Sequence, residues 1–254
     1  MTVVPVLLYH AVSARPPPRM ERFTVHPIRF AEHLEAIGDA GRVGLTVSQF
    51  AACLRTGSRL PGPPVVVTFD DGYDDFIEAA ERLEVAGLPS TLYVTTGQVG
   101  AAGMLTRRQL WSLSEPVEVG AHSRTHPRLD ELAPGRLRSE VLGSKADLED
   151  MLQRPVSSFA YPHGDHDHLV RQSVVEAGFD SAAAVKNAFS HEGDDPFAIA
   201  RITVGAATTA RHIAQLLQGR GAPVAWSRER RRTRAYRAYR RMRRRVGGRS
   251  RRGE

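Results

Sequence analysis

The apolar positions of this chain fall into short continuous runs separated by stretches where they recur every three or four residues. Val3 to Tyr9, Val65 to Phe69, Thr91 to Val94, Val117 to Gly120, Val156 to Ala160, Asp180 to Val185 and Ile199 to Val204 read as strands. Runs without a polar face belong to strands buried on both sides, the kind found in parallel sheets covered by helices. Between them, Phe30, Leu34 and Ile37 keep helical spacing up to Gly41, and Thr46 to Phe50 has the form of a helix start. Further helices are predicted over about Phe76 to Ala86, Arg107 to Leu113, Pro134 to Leu152, His168 to Ala177 and Arg211 to Leu217, with glycines 87 and 178 as stops. About seven alternations of strand and helix predict a βα barrel or a doubly wound sheet, and argue against an all-β fold or a helical bundle.

Several strands end in polar groups. The run Val65-Val66-Val67-Thr68-Phe69 stops at Asp70-Asp71-Gly72-Tyr73-Asp74-Asp75; the first strand ends at Tyr9-His10, the fourth runs into His122-Ser123-Arg124-Thr125-His126, and the fifth into Tyr161-Pro162-His163-Gly164. In a parallel barrel all these ends share one face, where chemistry sits. Neighbouring carboxylates repel, so Asp70 and Asp71 call for a cation, a shared proton or water. One aspartate with His122 and His126, four apart as on a single helical turn, makes a three-ligand site with open positions, the form of a catalytic rather than a structural metal. Such a metal would acidify a water and polarise a carbonyl, with the second aspartate taking the proton.

Composition narrows the picture. The 254 residues, 41% hydrophobic and 25% charged, suit one globular domain. A single cysteine, Cys53, excludes an internal disulfide and a thiolate cluster, leaving His, Asp and Glu as metal ligands. The net charge of +7 is uneven: Arg228 to Arg252 contains fourteen arginines and one acid, whereas residues 1–227 carry 21 basic against 26 acidic groups and are net −5. The reading is a domain over residues 1–219 followed by an arginine-rich tail over 220–254, helical or disordered.

Thr68-Phe69-Asp70-Asp71-Gly72-Tyr73, His122-Ser123-Arg124-Thr125-His126 and Phe159-Ala160-Tyr161-Pro162-His163-Gly164 closely resemble, in order and spacing, the first three motifs of the polysaccharide deacetylases, carbohydrate esterases with a NodB-homology domain. The resemblance runs from about Pro5 to Val204. It implies a distorted seven-stranded (β/α) barrel and one divalent metal, usually zinc, with cobalt, nickel or manganese as alternatives, held by Asp71, His122 and His126. It implies Asp70 as the general base and an oxyanion met by the metal and the backbone N–H of Tyr161, with Tyr73 and His163 lining the cleft. The activity implied is removal of N-acetyl groups from an amino-sugar polysaccharide, oligosaccharide or glycan precursor.

Two departures from the family pattern stand out. Phe159 stands about where many members carry an arginine that hydrogen-bonds the catalytic aspartate, and no late Leu-x-His follows the last strand. Members acting on biofilm poly-N-acetylglucosamine supply the missing acid from an early Tyr-His, and Tyr9-His10 resembles that version, which assigns His10 as the general acid. Arg201 is expected to pair with a buried carboxylate.

Plainer readings compete at each position. Asp-Gly is a common turn pair; His122 and His126 alone would be ordinary histidines; Asp74 and Asp75 suit a helix N-cap and first turn; His166 and His168 read as a solvated loop. The rival functions are a catalytically silent carbohydrate-binding or assembly protein on the same barrel, and a non-haem iron oxygenase using two His and one Asp. The N-terminus shows no secretory signal pattern and no run is long enough to span a membrane, so the expected location is cytoplasmic, peripheral at the inner membrane face through Arg228 to Arg252. The acidic body argues against nucleic acid as a partner.

Overall fold

A computed structural model describes residues 2–113 and 115–225. Its centre is a closed barrel of seven parallel strands: β1 (Val6–Tyr9), β2 (Pro64–Phe69), β3 (Ser90–Val94), β4 (Val117–Ala121), β5 (Ser158–Ala160), β6 (Ser181–Val185) and β7 (Ile199–Thr203). They follow one another around the ring in chain order, and β1 closes it by pairing with both β7 and β2. The barrel is uneven. β3 and β4 share five register pairs from Ser90↔Val117 to Val94↔Ala121, whereas β4 and β5 share one, Ala121↔Phe159.

Outside the ring lie α1 (Pro27–Asp39), α2 (Val47–Thr56), α3 (Phe76–Val85), α4 (Arg107–Ser112), α5 (Pro134–Leu152), α6 (His168–Glu176) and α7 (Ala210–Leu217). Thr46, Thr106 and Thr209 begin α2, α4 and α7 with reciprocal capping boxes, each satisfying N–H groups the helix cannot use itself. The spacing of apolar residues buries one stripe per helix: Phe30, Leu34 and Ile37 on α1, and Leu137, Val141, Leu148 and Leu152 on α5. Each such side chain contributes about 1.5–3 kcal/mol when fully buried.

The inside of the barrel is a separate apolar cluster. Val6, Val66, Ala160, Ala183 and Ile199 meet Val47, Phe50 and Ala51 of α2. Arg55 at the far end of α2 donates to the Asp180 carbonyl just before β6 begins, so α2 closes the end of the barrel where the strands start. The opposite end, where the strands finish, is left for polar groups.

The first predicted strand splits. Val3–Val4 pairs antiparallel with Ser190–His191, and Pro5, which has no N–H to donate, separates it from β1. The loop over 187–196 therefore carries a short strand, fixed by buried Asp194, which accepts from the Ser190 hydroxyl at 2.7 Å. Among the described residues no helix is long and apolar enough to cross a membrane. The segment Arg228 to Arg252 lies outside the described residues.

Candidate active site

The ends of β1, β2, β4 and β5 bring the motif residues to one face. Asp70 directly follows β2 and is buried, with its N–H donating to the Tyr9 carbonyl at 3.0 Å. Asp71 follows in the left-handed region at φ 75°, and Gly72 continues the turn at φ 88°, a conformation glycine adopts without strain. The reversal sends the two carboxylates to different partners.

Asp70 receives both arms of Arg201, at 2.6 and 2.8 Å. Arg201 is fully buried inside the barrel, bonded also to the Thr68 hydroxyl and with its guanidinium 5.3 Å from the Tyr93 ring centroid. The run Ser181-Ala182-Ala183-Ala184 on β6 supplies small neighbours beside it. Burial alone would raise the Asp70 carboxyl; the charge of Arg201 and its two hydrogen bonds outweigh it and hold the group at about 2. Phe159, at the position where the family pattern places an arginine, is packed in the core against Phe179 and Tyr161. The counter-charge comes from β7 instead of from the third motif.

Asp71 faces the histidines. His122 Nε2 and His126 Nε2 lie 3.7 and 3.4 Å from Asp71 Oδ1, and His122 Nε2 is also 3.7 Å from Asp70 Oδ2. One ligand atom from each of Asp71, His122 and His126 falls within 4.8 Å of the others, the one such grouping among the described residues. His122 Nδ1 is 2.8 Å from the Ala160 carbonyl, which as the acceptor fixes the tautomer that leaves Nε2 free for a ligand bond. Burial pushes His122 down to about 3 and also lowers His126, so both rings are neutral, the form that ligates. Burial raises the Asp71 carboxyl to about 6, Asp70 adding to the rise and His10 opposing it, a tension a bound cation would relieve. An oxygen 3.4 and 3.7 Å from two imidazole nitrogens, all three atoms within 4.8 Å of one another, suits an ion bound at about 2.0–2.1 Å with a position left open.

His122 and His126 do not stand on a helical turn as predicted. Ser123 and His126 are left-handed at φ 62° and 57°, and the loop is shaped by side chains: Ser123 Oγ accepts the His126 N–H at 3.0 Å. Buried Glu140 of α5 accepts the N–H groups of Arg124 and Thr125 on one oxygen, at 3.0 and 2.8 Å, and the Thr125 hydroxyl on the other at 2.6 Å. Glu140 gave no signal in the sequence beyond being an acid on the buried stripe of α5.

The other predicted residues divide. The His163 ring, on a residue at φ 61°, meets His126 edge to face at 4.5 Å and so borders the ligand set. Tyr73 sits beside Asp71, with its hydroxyl 3.4 Å from Met20 Sδ. His10 lies near both aspartates; its ring is 5.0 Å from Phe23, and its buried Nδ1 makes no hydrogen bond among the described residues. Tyr161 does not fit the oxyanion role. Its N–H donates to the Ala183 carbonyl at 3.0 Å as part of the barrel, and its hydroxyl to the Phe197 carbonyl at 2.9 Å. Asp75 does not cap α3, because its Oδ2 accepts the Val12 N–H at 3.1 Å. His166 stacks on Tyr161 at 4.3 Å, and His168 opens α6.

The finishing face of the βα barrel thus carries an Asp-His-His grouping with the donor set of a metal site, beside a buried, arginine-held aspartate. Residues 57–182 match the family model described as polysaccharide deacetylase, and the chain carries a polysaccharide deacetylase domain. The Bacillus subtilis protein YxkH, provisionally named a polysaccharide deacetylase, is 23% identical over 203 residues, 79% of this chain and 71% of that protein. A polysaccharide deacetylase from Bacillus cereus superposes with a TM-score of 0.76 at 25% identity, covering 85% of this chain and 69% of its own. The Streptococcus pyogenes deacetylase PplD, solved in complex with acetate, shares the fold at a TM-score of 0.78 and 24% identity, over 85% of this chain and 97% of its own.

Proposed function

We propose that this protein is a metal-dependent hydrolase that removes N-acetyl groups from an amino-sugar polysaccharide, oligosaccharide or glycan precursor. The observation that carries the reading is the division of labour between adjacent carboxylates: Asp71 faces two neutral imidazoles, while Asp70 is held as an anion by Arg201. Asp71, His122 and His126 would hold the ion. A divalent cation there, zinc first by its preference for this donor set, supplies Lewis acidity to a water and to an acetamide carbonyl.

The chain's own groups account for the rest. Asp70 accepts the proton of the attacking water, oriented by the two bonds from Arg201. The water oxygen bonds to the acetyl carbon, the C–N bond breaks, and His10 gives the departing nitrogen its proton, leaving acetate and a free amine. Tyr73 and His163 border the position where the acetyl group is placed, and His163 takes over the oxyanion side from Tyr161, whose N–H belongs to the barrel. The arginines from 228 to 252 are a peripheral contact with anionic lipid, each worth about 1 kcal/mol near such a surface. Co-sedimentation with anionic and neutral liposomes tests that contact, and equal pelleting with both removes it.

Acetate release from N-acetylchitooligosaccharides tests the reaction, comparing metal-loaded wild type, chelator-stripped protein and Asp70→Asn. Only loaded wild type should turn over substrate. No acetate from the loaded protein across a broad glycan panel, with glycan binding retained, would give the fold to the silent binding reading.

A further inference from the structure

The arginines in the segments that follow the barrel strands differ in whether they have carboxylate partners. In the segments after β4 and β5, Arg124 is bonded to Asp147 at 2.8 Å, Arg128 to Asp165, and Arg171 to Asp195 through two bonds of 3.1 Å. The segment after β1 differs. It carries Arg15, Arg19 and Arg22, all exposed, and among the described residues none of the three is in an ion pair.

That segment is seated on the site. Its turn Pro18–Phe23 places Met20 Sδ 3.4 Å from the Tyr73 hydroxyl and the Phe23 ring 5.0 Å from His10. The Arg22 guanidinium stands 4.4 Å over the Phe23 ring, and the charge of Arg19 is felt at the Tyr73 hydroxyl. Its position is fixed from behind: the Arg22 carbonyl accepts the Ala206 N–H at 3.2 Å, and residue 205 has to be glycine because a Cβ there would lie 2.3 Å from the same oxygen. Arg19 and Arg22 stand beside groups of the site, with Arg15 on the same segment, and with Glu21 among them the three arginines leave this segment net positive on a body of net −5. A neutral glycan offers them no charge to pair with. Planar guanidinium forks match the oxygens of phosphate and carboxylate groups.

We infer that the substrate is an anionic amino-sugar glycan, bearing a phosphate or carboxylate near the acetylated sugar, and that Arg15, Arg19 and Arg22 recognise that group. The inference rests on the deacetylase reading and adds its substrate class. The test uses the full chain, so that the arginines from 228 onward are common to every sample. Three tetrasaccharides of N-acetylglucosamine are compared: unmodified, 6-phosphorylated, and carboxylate-bearing. Acetate release gives kcat and KM, and equilibrium titration gives binding separately.

Wild type should favour an anionic tetrasaccharide over the neutral one by about tenfold or more in kcat/KM, chiefly through KM, and lose that preference as salt screens it. In the R15Q/R19Q/R22Q variant the ratio should fall close to one, and lysines at the three positions should recover part of it. The better anionic arm names the group recognised. A wild-type ratio at or below one for both anions, or a ratio unchanged in the glutamine variant, overturns the inference. Should no glycan yield acetate, the deacetylase reading falls, and the binding ratios then decide the role of the arginines by the same criteria.

Discussion

The two sides of this cleft differ in how completely their polar groups are engaged. On the motif side the groups that shape the ligand set are held by partners: Asp70 by Arg201, His122 by the Ala160 carbonyl, and the 123–126 loop by Glu140. On the β1 side, among the described residues, His10 Nδ1 is buried without a hydrogen bond and three exposed arginines have no acid partner. The first side is organised to hold atoms still. A buried polar atom without a partner costs stability, so His10 Nδ1 is the group on the second side that a bound molecule would complete.

The strongest test of the engaged side is Arg201→Met. Removing the cation leaves Asp70 buried and unpaired, which should lower stability by about 3–5 kcal/mol and abolish acetate release. Asp70→Asn combined with Arg201→Met should regain most of the melting temperature but none of the activity. If the double variant is as unstable as Arg201→Met alone, the pair is not what Arg201 is buried for.

On the open side, His10→Ala should cost about a hundredfold in turnover of the N-acetyl substrate, the usual scale for a lost proton donor. An aryl acetate, whose leaving group needs no proton, should lose far less. Equal losses on both substrates would remove His10 as the acid. A smaller effect is expected at Glu140, which shapes the ligand loop without touching the ion. Glutamine there keeps one acceptor oxygen for three donors, and should weaken cobalt binding by about 10–100-fold, read from the visible spectrum. Unchanged cobalt affinity would mean the loop holds its shape without that carboxylate.

The contrast also explains what could be read in the sequence. Strands, helices and motif order were legible because they depend on local periodicity, and Phe30, Leu34 and Ile37 bury as their spacing says. The Asp70–Arg201 pair spans 131 residues and exists only because the barrel closes. A signal was nonetheless present: Ile199 faces the interior, so Arg201, two residues on, faces it too, beside a strand of alanines. Ser123 and His126 carry no mark of their left-handed backbone, since neither is glycine, and a helical turn was the natural expectation for histidines four apart. Tyr161 misled because pairing with β6 continues past the end of β5 and takes up its N–H.

The smallest effect concerns how the open side is tethered. Asp75 ties the β1 loop to α3 through the Val12 N–H, but its other oxygen is buried without a partner. Burial, with Asp74 and Glu78 nearby, raises its carboxyl to about 6 from 3.8. The folded protein therefore binds this proton more tightly than the unfolded chain does. Its contribution to stability falls as pH rises from about 4 to about 6 and is flat above, the reverse of a salt-bridged aspartate. Asp75→Asn keeps the acceptor for Val12 and removes the buried charge. It should raise the melting temperature at pH 7.5, by about 1–2 kcal/mol of stability once the new unpaired amide is allowed for, and the advantage should shrink toward pH 4.5. A variant less stable than wild type at every pH would show that the carboxylate, not the neutral acid, is what the loop requires.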